Sequence, residues 1–195
     1  LKARLALSFA GMSHKSIAPT LLGLVRHKVP YVRRNAVVAL GKQGDAKSSE
    51  ALIAALKDEK EDAVRQAIFE ALGEIGDPQA SPAIEAQLDK GHWSVRVAAI
   101  EALGRLRTKS AVGALIAQMQ KEDGRLLTDI RRALEDLTGQ LQYREDKMLW
   151  KQWWDRYHDI FKVPSREHLA ELKRKQAAAA AEYGAAPQKY HTIET

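Results

Sequence analysis

A ten-residue pattern returns four times in this chain at about the spacing of one helical hairpin. Its copies are Val32-Arg-Arg-Asn-Ala-Val-Val-Ala-Leu-Gly41, Val64-Arg-Gln-Ala-Ile-Phe-Glu-Ala-Leu-Gly73, Val95-Arg-Val-Ala-Ala-Ile-Glu-Ala-Leu-Gly104 and a worn version, Asp129-Ile-Arg-Arg-Ala-Leu-Glu-Asp-Leu-Thr138, offset by 32, 31 and 34 residues. A fixed period in this range marks stacked repeats, because one hairpin cannot bury its apolar face alone and neighbours must share a continuous core. Such a chain presents an extended surface suited to holding a partner.

Each unit reads as two helices. In the first, Val64, Ala67, Ile68, Ala71 and Leu72 recur at helical spacing, as do Val95, Ala99, Ile100 and Leu103, giving one apolar stripe. Gly41, Gly73 and Gly104 follow the stripe and read as left-handed residues at a helix end. Ser49, Ser81 and Ser110 stand where a second helix would be N-capped, with Pro82 at a first-turn position. The second stripes are Leu52, Ile53 and Leu56, then Ile84 and Leu88, then Leu115, Ile116 and Met119. A weakened first unit lies one period earlier, with Leu1, Leu5, Phe9 and Ala10 before Val32, and Leu21, Leu22 and Val25 before Leu52. Opening in phase without a polar cap, the chain is expected to continue into earlier repeats or to meet a partner at this end.

The pattern Val-Arg-x-x-Ala-x-x-Ala-Leu-Gly, then Gly-Asp, then a Leu-rich second helix, resembles short HEAT-like repeats, closest to the type named after phycobilisome lyases. The resemblance spans roughly residues 1–140 and implies an all-α solenoid of about four helical hairpins. It leaves function open, since proteins of this kind include scaffolds, adaptors, chromophore lyases, an iron-dependent hydroxylase and DNA-repair glycosylases.

Arg33, Arg65 and Arg96 hold one repeated position, with Asp58 and Asp89 seven residues before the latter two. They read either as an arginine row for phosphate or, better, as an inter-repeat ladder in which each Arg pairs with a loop Asp. The six histidines (His14, His27, His92, His158, His168 and His191) form no His-Glu or His-x-x-x-His pair, and the His-Glu motifs of the iron-dependent hydroxylases are absent. No phosphate-binding Gly-x-x-x-x-Gly-Lys-Ser/Thr loop and no Gly-x-Ser-x-Gly occurs. The chain has no Cys, which removes disulfides, thiolate ligands and a Cys nucleophile. No catalytic residue, metal ligand or cofactor is expected.

Charge is unevenly placed. The net charge is +6, yet the first 44 residues hold eight Lys or Arg and no acid. Lys15, Arg26, Lys28 and Arg34 are the candidate basic patch, able to attract phosphate, anionic lipid or an acidic protein. No apolar run approaches the roughly 18 residues of a membrane span, and no signal peptide is visible.

From Leu141 the texture changes. Trp150, Trp153, Trp154 and Tyr157 fall on one face of a helix expected over about 146–161, and burying them over the last hairpin would cap the solenoid. Val163-Pro164-Ser165 breaks the chain. Arg166 to about Tyr183 then reads as a helix with a thin stripe of Leu169, Leu172 and Tyr183, followed by a polar tail. This weakly amphipathic arm is expected to dock on another chain through Leu169, Leu172, Lys173, Tyr183 and Tyr190. The organisation is therefore a repeat solenoid over 1–140, a Trp-rich capping helix over 141–162, and an arm with its tail over 163–195.

The expected function is a non-enzymatic scaffold or adaptor that binds protein partners in a multi-subunit assembly. Nucleic-acid binding through the basic units is the alternative, and a lyase or repair enzyme of the same fold is another. The closing Trp motif resembles that of many exported bacterial proteins, and the first residue is not Met. Together these point to the bacterial envelope rather than the cytoplasm.

Overall fold

The repeated motif is helical in every copy because its apolar residues return every three or four positions and bury one stripe. The computed structural model describes residues 17–185, with side chains through Ala179. Among them the regular elements are all helices: α1 (Ala18–Leu24), α2 (Pro30–Gln43), α3 (Lys47–Asp58), α4 (Asp62–Ile75), α5 (Ser81–Glu85) preceded by a 3-10 turn at Pro78–Ala80, α6 (Trp93–Leu106), α7 (Lys109–Met119), α8 (Arg125–Thr138), α9 (Lys147–Tyr157) and α10 (Arg166–Ala185). Up to Val163 the described residues form an α-solenoid of helical hairpins. Leu1, Leu5, Phe9, Ala10 and Lys15 lie outside the described residues.

Two rows of helices build the solenoid. The motif helices α2, α4, α6 and α8 stand side by side in the first row, and α1, α3, α5, α7 and α9 form the second. Between the rows runs one core, in which Leu40, Leu72, Leu103 and Leu137 occupy equivalent places with no exposed surface. Each such leucine contributes roughly 1.5–3 kcal/mol through burial.

The first row is spaced by small residues, which corrects the reading of Gly41, Gly73 and Gly104 as left-handed helix ends. All three lie inside their helices. The left-handed residues come later, at Gly44 (φ 64°), Gly76 (φ 72°), Arg107 (φ 55°) and Gly139 (φ 76°). The motif glycines instead let backbones approach. A Cβ on Gly41 would lie 2.8 Å from the Cα of Ala71, one on Gly73 3.2 Å from the Cα of Ala102, and one on Gly104 3.8 Å from the Cβ of Ala133.

The predicted caps also shift. α3 begins at Lys47, so Ser49 lies buried within the helix and the turn is held by Asp45, whose Oδ1 accepts the Lys47 N–H at 3.0 Å. Asp77 caps the 3-10 turn ahead of α5. Thr108 caps α7 by accepting the Ala111 N–H at 3.2 Å, leaving Ser110 within the first turn. Ser81 acts across units: its hydroxyl lies 2.6 Å from that of Thr108, joining α5 to the start of α7. The short side chains at the turn outcompete the serines because they sit where the first free N–H groups point.

The chain divides into two compact units between Val163 and Pro164. The first contains both rows and the Trp-rich segment. The second is α10 with its flanks, opened by Ser165, whose Oγ accepts the His168 N–H at 3.2 Å.

Candidate functional site

The repeated arginines are consumed inside the fold. Arg33 grips Glu59 through two bonds, Nε to Oε2 at 2.6 Å and Nη2 to Oε1 at 2.7 Å, and also donates to the His27 carbonyl at 2.9 Å. Arg96 likewise pairs with Glu122 and donates to the Leu88 carbonyl. Both acids follow their arginine by 26 residues. In the middle unit that position is Gly91, and a Cβ there would run into the Arg65 guanidinium. Arg65 is buried, and reaches Asp62 at 3.2 Å, the Gln87 side chain at 3.2 Å and the Lys90 carbonyl at 3.4 Å.

The arginines are paired, then, but not with the acids expected and not between repeats. Asp58 and Asp89 are exposed. Asp58 is the last residue of α3, whereas Glu59 turns extended (φ −73°, ψ 128°) and has the longer side chain needed to reach back. The pairing also stays within a unit: it ties the start of the first helix to the loop leaving the second. The 26-residue Arg-to-Glu spacing was the sequence signal for it.

Electrostatics at Glu59 follow from these bonds. Burial by itself would raise its carboxyl. The bond from Arg33 and the N–H groups of Glu61 and Lys60 outweigh that and hold it below the usual carboxylate range. Arg33 is raised in turn by the same bond.

Of the candidate basic patch, Arg26, Lys28 and Arg34 are all exposed. Arg26, Lys28 and Lys60 line a cleft of about 400 Å³ with Arg33, but Asp58, Glu59 and Glu61 line it too. Acid therefore faces base there, which weakens any pull on phosphate. Arg34 is not among the residues lining that cleft. Lys42, two turns further along α2, is exposed as well, while the matching helix α4 carries Glu74 exposed and Glu70 half-buried.

At the other end the aromatic residues gather around α9. Asp146 caps it, accepting the Leu149 N–H at 2.9 Å. Trp150 is fully buried and its indole N–H donates to the Arg144 carbonyl at 2.9 Å. Trp153 is buried, Trp154 half-buried, and Tyr157 is 40% exposed. Trp154 lies over Gly113 of α7, where a Cβ would come within 3.1 Å of the ring. Tyr143 and Phe161, which sequence reasoning passed over, complete the cluster: each meets a tryptophan edge-on, Tyr143 with Trp150 at 5.3 Å and Phe161 with Trp153 at 5.2 Å between centroids. The turn before α9 is tied to α8, since the Thr128 hydroxyl donates to Glu145 at 2.8 Å.

On α10, Leu169 is buried, Leu172 half-buried and Lys173 exposed. Tyr183 lies within the helix, beyond the described side chains, and Tyr190 lies outside the described residues. Among the described residues no helix is long and apolar enough to cross a membrane, and no group of three or more His, Asp or Glu is placed to hold a metal ion.

The sequence matches the family model for HEAT repeats over residues 1–73 and 49–135. No curated protein matches it. The matched residues exceed half of the chain and include the motif helices that carry Gly41, Gly73 and Gly104; the chain belongs to the HEAT-repeat family.

Proposed function

We propose that this protein is a non-enzymatic scaffold or adaptor subunit that holds protein partners in a larger assembly. The observation that carries this reading is the internal use of the repeated charges. Arg33, Arg65 and Arg96 are spent on bracing the hairpins, so the arginine that three of the repeats share at one position serves architecture. HEAT repeats generally mediate protein–protein interactions, and an extended double row of helices offers shape and charge complementarity with no covalent step. The arm contacts proposed for the partner are Leu172, Lys173, Tyr183 and Tyr190, Leu169 being already buried within the chain.

The test is isolation from the native source under gentle conditions, with the full chain and with a chain ending at Val163. Protein partners that co-purify with the full chain and are lost on truncation are the expected result. A lone monomer carrying nuclease-sensitive RNA or DNA would replace this reading with nucleic-acid binding at Arg26, Lys28 and Arg34, and that binding would weaken steeply with salt.

A further inference from the structure

Beside α9 the surface opens into a groove of about 470 Å³, a size that accepts a small ligand or a few side chains of a peptide. Its floor is aromatic. Tyr143, Trp153 and Phe161 line it, with Trp153 at 6.4 Å from Tyr143 and 5.2 Å from Phe161 between ring centroids. Its rim is apolar and open: Tyr157 is 40% exposed and Ile160 75%. The turn that carries Ile160 is ordered, because its N–H and that of Phe161 both donate to the Tyr157 carbonyl, at 3.2 and 2.9 Å. An exposed branched aliphatic side chain on an ordered turn beside aromatic surface has the character of an interface anchor.

The polar edge of the groove sets its sign. Gln140 and Lys162 line it, and no carboxylate does. Asp159, next to the rim, is exposed and faces His158 at 3.2 Å, and Lys109 brings a second cation beside it, its Nζ donating to the Asp159 carbonyl at 3.1 Å. Aromatic rings alone would also attract a cation, but the charge already present is positive and exposed. The complement is thus an apolar group with negative charge beside it.

We infer that this groove docks a partner peptide that inserts an aromatic or branched aliphatic side chain flanked by carboxylates. The inserted side chain covers Trp153 and packs between Tyr157 and Ile160. The flanking carboxylates meet Lys162, with Gln140 available to a backbone carbonyl. Its lining residues are different from the arm contacts proposed above.

The experiment uses the full chain and two end-capped, fluorescently labelled peptides read by anisotropy. One has the sequence Gly-Glu-Glu-Phe-Leu-Glu-Gly, and the other has Lys in place of each Glu. The expected result is at least about tenfold tighter binding of the acidic peptide. Lys162→Glu reverses that preference, and Ile160→Ser and Tyr157→Ser each weaken binding about fivefold or more. Because these three side chains are exposed, unchanged thermal midpoints establish that the variants fold. Equal binding of the two peptides, binding indifferent to Ile160→Ser and Tyr157→Ser, or no binding of either peptide overturns the proposal.

Discussion

The two rows of helices solve one stacking problem with different side chains. In the first row all four helices are 14 residues long and approach through glycine and alanine. In the second the lengths run 7, 12, 5, 11 and 11 residues, and the joints vary, from a Ser81–Thr108 hydroxyl pair to Trp154 laid on Gly113. Where backbones nearly touch, one missing methyl group decides the spacing, and the sequence repeats faithfully. Where larger side chains fill a wider gap, several fillings work and the sequence drifts. Tolerance to substitution should divide along the same line.

The strongest way to break that comparison is Gly41→Leu. A Cβ there already lies 2.8 Å from the Ala71 backbone and 2.9 Å from the Glu74 carboxylate, so a full side chain must part α2 from α4. The expected loss is about 3 kcal/mol or more, read as the shift in a urea unfolding midpoint. In the second row, Gly113→Leu meets first the half-buried Trp154 ring, a side chain rather than backbone, and should cost less, about 1–2 kcal/mol. Equal losses at the two positions would show that the rows do not differ in tolerance.

The ladder supplies the next largest effect, because it braces the ends of first-row helices. Glu59→Ala leaves the Arg33 guanidinium without its bidentate partner and should cost about 2 kcal/mol at neutral pH. The Glu59 carboxyl is held below its ordinary value of 4.5. Its contribution is therefore fully present above that value and lost as pH falls through the lower, folded one. The gap in thermal midpoint between the native chain and Glu59→Gln should be wide at pH 7 and close progressively below about pH 4.5. A gap of constant width from pH 7 to pH 3 would mean the carboxylate does not carry the brace.

These two features mark how far the sequence could be read. The period, the helical hairpins and the buried stripes were legible because apolar spacing reports burial directly, as at Leu40, Leu72 and Leu103. The role of Gly41 was not: a glycine near a helix end signals a left-handed cap as readily as a close approach, and only the position of Ala71 separates the two. The ladder partners were missed for a similar reason. Asp58 and Glu59 are neighbours in sequence, but one ends the helix and the other turns back, which backbone direction alone decides. The aromatic groove was half visible, since Trp153 and Tyr157 fall on one helical face. Tyr143, Ile160 and Phe161 join them from the turns on either side, where no periodicity points.

The smallest effect gives the sharpest comparison, since it changes sign within one row. The three motif glycines are not equally crowded: the approach loosens from 2.8 Å at Gly41 to 3.2 Å at Gly73 and 3.8 Å at Gly104. The last is ordinary van der Waals contact, with the Ala133 methyl rather than with backbone. Alanine at Gly104 therefore meets no clash, gains a contact and removes the unfolded-state freedom of a glycine within the last turn of a helix, for a stabilisation of about 0.5–1 kcal/mol. The same substitution at Gly41 should destabilise by about 1–2 kcal/mol, because the Ala71 backbone cannot yield without moving α4. Gly73→Ala should fall between them, as the Arg105 side chain can move but the Ala102 Cα cannot. Urea midpoints of the three single variants should thus rank Gly104→Ala above the native chain, and Gly73→Ala above Gly41→Ala. A flat series would show that the row relaxes as a whole, and that its spacing is set by the core leucines rather than by the glycines.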